Sequence, residues 1–179
     1  MISTLLVAHP WFSPAVLCAL VLLGPLAGRW LLQRPRVAWT LFGVSLLPVV
    51  LLTLVPTSRE VFERCAVGWV LPTFGRVELM ANVILLVPPV LLAAVAARRP
   101  VLALLGGVAG SAVIEAVQAL VPALGRSCDT NDWLSNAIGA LLGAALGAVA
   151  MWLSRRPRRS DDAAGALPGV VDAAGSQHR

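Results

Sequence analysis

The chain has 179 residues, 58% of them hydrophobic and 13% charged, with a mean hydropathy of +0.83. A soluble domain of this length is about 45–50% apolar and about a quarter charged, so the apolar surplus belongs in lipid. The net charge of +5 and isoelectric point near 10.9 do not indicate nucleic acid, because the arginines stand at the ends of apolar segments and no soluble module carries a basic groove.

A spanning helix needs about 20 mostly apolar residues. Five segments qualify, at residues 14–32, 37–55, 79–97, 101–121 and 133–153. The predicted fold class is therefore all-α, a polytopic membrane bundle of five transmembrane helices. Residues 1–154 form the transmembrane domain, and residues 155–179 read as a disordered cytoplasmic tail, small, polar and rich in Ala and Gly. The first span does not read as a signal peptide, since no basic residue precedes it and no small-residue cleavage site follows it. The basic residues, 14 in all, are arginine without a lysine, a usage that suits a GC-rich bacterial genome.

Arginine placement sets the expected orientation. Arg29, Arg34, Arg36, Arg98, Arg99, Arg155, Arg156, Arg158 and Arg159 fall on one side. Arg59, Arg64, Arg76 and Arg126 fall on the other, interleaved with Glu60, Glu63, Glu78, Asp129 and Asp132. Basic residues favour the cytoplasmic side. The N-terminus is expected outside and the C-terminus cytoplasmic.

This orientation gathers the polar residues of the spans at the outer face. Glu78 and Asn82 open the third span, four apart and on one helix face. Glu115 and Gln118 lie near the outer end of the fourth. The following loop carries Arg126, Asp129 and Asp132, and Asp132 is placed to cap the fifth helix, with Asn136 one turn further in. Ionisable groups at membrane depth mark a functional site or a helix-locking network. Asn and Gln in such helices often serve only to bond neighbouring helices. Glu115 needs a partner or water, and Arg126 or Arg76 are the nearest cations by topology.

Gly139, Gly143 and Gly147 repeat every fourth residue with Ala140, Ala144 and Ala148 beside them, a stripe that lets helix backbones approach. Pro88 and Pro89 predict a kink or local break in the third span. Cys18 reads as a small core residue. Cys65 and Cys128 both fall in outward loops, where oxidation is permitted. A disulfide between them and a free nucleophilic Cys128 both stay open, although no histidine neighbours Cys128. No Cys/His metal site is expected, and a carboxylate set of Glu115, Asp129 and Asp132 is the weaker remaining metal reading. No cofactor is expected.

The pattern Arg-x-x-Asp-x-x-Asp-x-x-x-Asn-x-x-Gly, here Arg126, Asp129, Asp132, Asn136 and Gly139, stands below a Glu-x-x-Gln pair, Glu115 and Gln118. With Glu78, Asn82 and Pro88 upstream, it resembles the VanZ-like family over about residues 76–150. Pro89 and Cys128 depart from the family pattern, in which Leu-Gly and an aromatic residue are expected. The resemblance implies a bacterial plasma-membrane protein connected by its family name with teicoplanin resistance. It does not define a molecular activity.

Two functions fit these residues. In the first, the outer polar cluster binds a lipid head group, a cell-wall precursor or a glycopeptide-like ligand, with Arg126 meeting an anionic group. In the second, an intramembrane enzyme acts on a lipid-linked substrate, with Glu115, Asp129 and Asp132 as acid–base groups. A small transporter is disfavoured, because the polar residues do not continue to the inner leaflet.

Overall fold

The computed structural model describes residues 11–57 and 64–155. The tail from Ser160 to Arg179, the arginines Arg156, Arg158 and Arg159, and the charges Arg59, Glu60 and Glu63 lie outside the described residues.

The described residues form five long helices: α1 (Phe12–Leu31), α2 (Pro35–Leu54), α3 (Val77–Ala97), α4 (Pro100–Leu120) and α5 (Thr130–Arg155). All five are long and apolar enough to cross a membrane. Pro35 and Pro100 sit at the first helical positions of α2 and α4, where the missing N–H removes no intrahelical bond. The linkers between α1 and α2 and between α3 and α4 are too short for anything but antiparallel neighbours. One end of the bundle thus carries the starts of α1, α3 and α5. The other carries the starts of α2 and α4.

Large apolar side chains cover the outside of α1, α2 and α4, among them Leu22, Leu47, Leu51 and Leu105. In water this surface would drive aggregation; against acyl chains it is the expected exterior. Tryptophans mark both ends. Trp11, Trp69 and Trp133 lie at one end, and Trp30, Trp39 and Trp152 at the other, as interfacial belts do. Cys18 departs from expectation: it is exposed on α1, one more small apolar group on the outer surface.

The core is centred on α3, whose Val83, Leu86, Val87, Val90, Leu91, Ala94 and Val95 are buried. Its most extensive partner is α5, and the glycine stripe is the reason. A Cβ added at Gly143 would lie 2.6 Å from the Val87 carbonyl oxygen and 3.1 Å from the Leu91 nitrogen. One at Gly147 would lie 2.7 Å from Ala94 Cβ, and one at Gly139 would collide with the Val83 backbone. The two backbones touch because α5 has no side chains in the way. Where α3 and α5 meet, Gly28 of α1 approaches Ala150 and Val95 in the same manner.

Helix α3 runs unbroken through Pro88 and Pro89, so the expected local break does not occur. Pro89 is buried, and the neighbouring helices hold α3 where its own hydrogen bonds are missing. A feature absent from the sequence reading is a two-residue parallel pairing of β1 (Cys65–Ala66) with β2 (Cys128–Asp129), in register Cys65 to Cys128.

Candidate functional site

The site lies at the end of the bundle where α1, α3 and α5 begin. Two loops build it. Residues 121–129 leave α4 through a single 3₁₀ turn, Pro122–Leu124, which ends on Gly125 in the left-handed conformation, φ 61°. Residues 64–70 cross above α5. Each loop is pinned to the bundle. Thr57 donates its N–H to the Leu124 carbonyl at 2.9 Å and its hydroxyl to the Gly125 carbonyl at 2.8 Å. The Arg126 Nε donates to the Val55 carbonyl at 3.3 Å.

The 64–70 segment is held through α5. The Cys128 N–H donates to the Arg64 carbonyl at 3.1 Å. The Thr130 hydroxyl accepts from the Gly68 N–H at 2.8 Å and donates to the Gly68 carbonyl at 2.7 Å. Asn131 Oδ1 accepts from the Val70 N–H at 2.8 Å. A Cβ at Gly68 would lie 2.7 Å from the Asn131 amide nitrogen, so a larger residue there would push that side chain from its bonds to Val70 and Asp129. Cys65 and Cys128 are joined as a disulfide, with their Cα atoms 4.5 Å apart. Trp69 then meets Trp133 edge to face, ring centres 6.4 Å apart.

Asp129, and not Asp132, caps α5. Its Oδ1 accepts the Asn131 N–H at 2.8 Å and the Asn131 side-chain amide at 3.0 Å, which is the bond an N-cap makes two residues into its helix. Asp132 is displaced into the first turn, where its charge still suits the helix dipole and its carboxylate is left to face the cavity.

The eight polar residues singled out in the sequence take three different positions. Glu78, Asn82, Arg126 and Asp132 line one cavity of about 560 Å³. Asp132 is hydrogen-bonded by Asn82 and lies within electrostatic range of Glu78, Asp129 and Arg126. The rest of the cavity wall is mostly apolar, with Phe12, Val16, Leu52, Ile84 and Leu85 on α1, α2 and α3.

Glu115 and Asp129 line a separate recess of about 190 Å³, with Cys128, Thr130 and Trp133. Glu115 finds its partner in the backbone: its Oε2 accepts the Asp129 N–H at 2.8 Å, not a guanidinium. The third position is between helices. Gln118 is buried and its amide donates to the Thr53 carbonyl at 2.9 Å. Asn136 is buried and its amide donates to Ser111 Oγ at 2.9 Å, while its Oδ1 has no partner among the described residues. Gln118 and Asn136 therefore lock α4 to α2 and α5 to α4. Among the described residues no group of three His, Cys, Asp or Glu side chains could hold a metal ion.

Sequence reasoning missed Thr53, Ser111, Thr130 and Asn131. The last two were legible as the cap-proximal pair of the Asp-Thr-Asn-Asp run; Thr53 and Ser111 carry no local signal, because their partners are 65 and 25 residues away.

The protein-family model described as VanZ/LLP1 matches residues 11–152. The match takes in α1 and α2 as well as the three spans that carry the motif. No curated protein and no solved structure matches the chain.

Proposed function

We propose that this chain, which belongs to the VanZ/LLP1 family and is a multi-pass membrane protein, uses its polar face to bind the head group of an amphiphile. The observation that supports this most is the composition of the 560 Å³ cavity. It joins a guanidinium, two carboxylates and an amide to a mostly apolar wall that includes Val16, Leu52, Ile84 and Leu85. A site that sets charge beside apolar surface matches a molecule built the same way. Arg126 is half-buried and held at Nε by Val55. Its terminal nitrogens are left for an anionic group, to which a guanidinium fork binds in a bidentate manner.

The polar face is external on the arginine bias, in the plasma membrane of a bacterial envelope. A lipid head group, a cell-wall precursor or a glycopeptide with an acyl tail each fit the cavity's chemistry, the last linking the site to teicoplanin resistance. The enzymatic reading is second. Glu115 is its acid–base residue, but Glu115 already holds the Asp129 N–H and lines a different recess from Asp132. A carboxylate spent on holding a loop is a positioning group.

The test compares Arg126→Gln and Asp132→Asn with Glu115→Gln in a bacterial host scored for teicoplanin susceptibility and for protein level in the membrane. The expected result is loss of protection in the first two variants at parental protein level. Retained protection in both overturns the proposal. Loss in Glu115→Gln alone, at normal level, favours the enzyme.

A further inference from the structure

Three arginines converge at the opposite end of the bundle. Arg29 in the last turn of α1, Arg98 just past α3 and Arg155 at the end of α5 line one cleft of about 300 Å³, with Gln33 and Ser154. Leu32 and Met151 complete its wall, and no carboxylate of the described residues lines it. Arg98 is fixed in place. Its backbone is left-handed, φ 54°, unlike every other non-glycine residue described, and its Nη2 donates to the Leu32 carbonyl at 3.0 Å. A non-glycine residue held in that region persists only where its surroundings fix it.

Helix ends account for part of this charge. Each helix C-terminus is equivalent to about −0.5 of an elementary charge. Three of them offset about half of three guanidinium groups, and the remainder has no counter-charge within the cleft among the described residues. Topology alone asks for arginines at this face. It does not ask side chains from three helices to meet in one cleft.

We propose that this cleft binds the phosphate of an anionic phospholipid, with the guanidinium groups of Arg29, Arg98 and Arg155 taking its oxygens. Basic pockets between transmembrane helices bind such head groups. A lipid fits better than a soluble phosphate because Leu32 and Met151 form the wall, while the exposed Trp30 and Trp152 put the cleft at interfacial height. The site is at the other membrane face from the amphiphile cavity and does not depend on that reading.

The experiment titrates the purified full chain in mild detergent with phosphatidylglycerol, phosphatidylcholine and inorganic phosphate, and counts bound lipid by native mass spectrometry. Phosphatidylglycerol is expected to be retained at least tenfold more tightly than phosphatidylcholine. Arg29→Gln and Arg155→Gln, both at exposed positions, are each expected to weaken it at least threefold. Arg76→Gln, exposed at the other face, is expected to leave it unchanged. Equal retention of the two lipids overturns the proposal, as does an equal loss in Arg76→Gln, which would mean unspecific charge attraction. Displacement of phosphatidylglycerol by an equal concentration of inorganic phosphate overturns the lipid assignment.

Discussion

Replacing Gly143 by alanine adds one methyl group where α5 crosses α3. The new Cβ would stand 2.6 Å from the Val87 carbonyl oxygen, 3.1 Å from the Leu91 nitrogen and 3.1 Å from Val90 Cβ. Two of these atoms are backbone, so the helices must separate rather than a side chain turn aside. Overpacking of this kind costs about 1–3 kcal/mol. The same substitution gains about 1 kcal/mol in helix propensity, which would mask part of the loss. Gly106→Ala removes that ambiguity, because a Cβ at Gly106 in α4 meets nothing within 4 Å. The propensity gain cancels between the two variants, and their difference isolates the steric cost. Gly143→Ala is expected to be less stable than Gly106→Ala by about 1–3 kcal/mol, measured by equilibrium unfolding of the purified protein in mixed micelles. Equal stability would refute the close approach of α3 and α5 and with it the packing role of the glycine stripe.

The remaining predictions concern the loops, the interhelical bonds and the topology. Peptide mapping without reductant should recover Cys65 linked to Cys128, and Cys128→Ser should cost at most about 4 kcal/mol for a crosslink spanning 63 residues; free alkylation of both thiols in unreduced protein would contradict the bridge. Ser111→Ala should destabilise by about 0.6–1.7 kcal/mol, since it leaves the Asn136 amide unpaired between helices, and a double-mutant cycle with Asn136→Ala should show coupling of that size; zero coupling would contradict it. Asp129→Ala should weaken the cap and the hold on Asn131 by about 1 kcal/mol, read as faster proteolysis within residues 64–70; an unchanged cleavage rate would count against the clamp. Reporter fusions after Arg99 should read cytoplasmic and those at Thr57 external, and the reverse would move the polar face to the inside.

The five spans were legible because lipid imposes a length and a composition that any sequence must meet, and each predicted span overlaps one helix to within three residues at either end. The glycine stripe was legible for the same reason: a period of four on a helix is a face. What the sequence hid are the choices made between segments. Nothing local distinguishes Asn136, which bonds Ser111 inside the bundle, from Asn82, which bonds Asp132 at a cavity. Each stands four residues after a carboxylate, Asn82 after Glu78 and Asn136 after Asp132, and both read as polar positions on a helix face. The division of the carboxylates between two recesses is likewise a matter of which segments meet, Glu78 of α3 with Asp132 of α5 in one and Glu115 of α4 with Asp129 of β2 in the other. The cap at Asp129 was missed because Asp132 is an equally good capping residue by type, and only the loop path decides which one precedes the first helical turn.

The most direct test of the amphiphile site is the structure of the full chain in nanodiscs formed from native membrane lipid. The expected result is head-group density against Arg126, Asn82 and Asp132, with a tail running between Val16, Leu52 and Leu85. A water-filled cavity, or tail density alone with the Arg126 guanidinium turned onto Asp132, would contradict it.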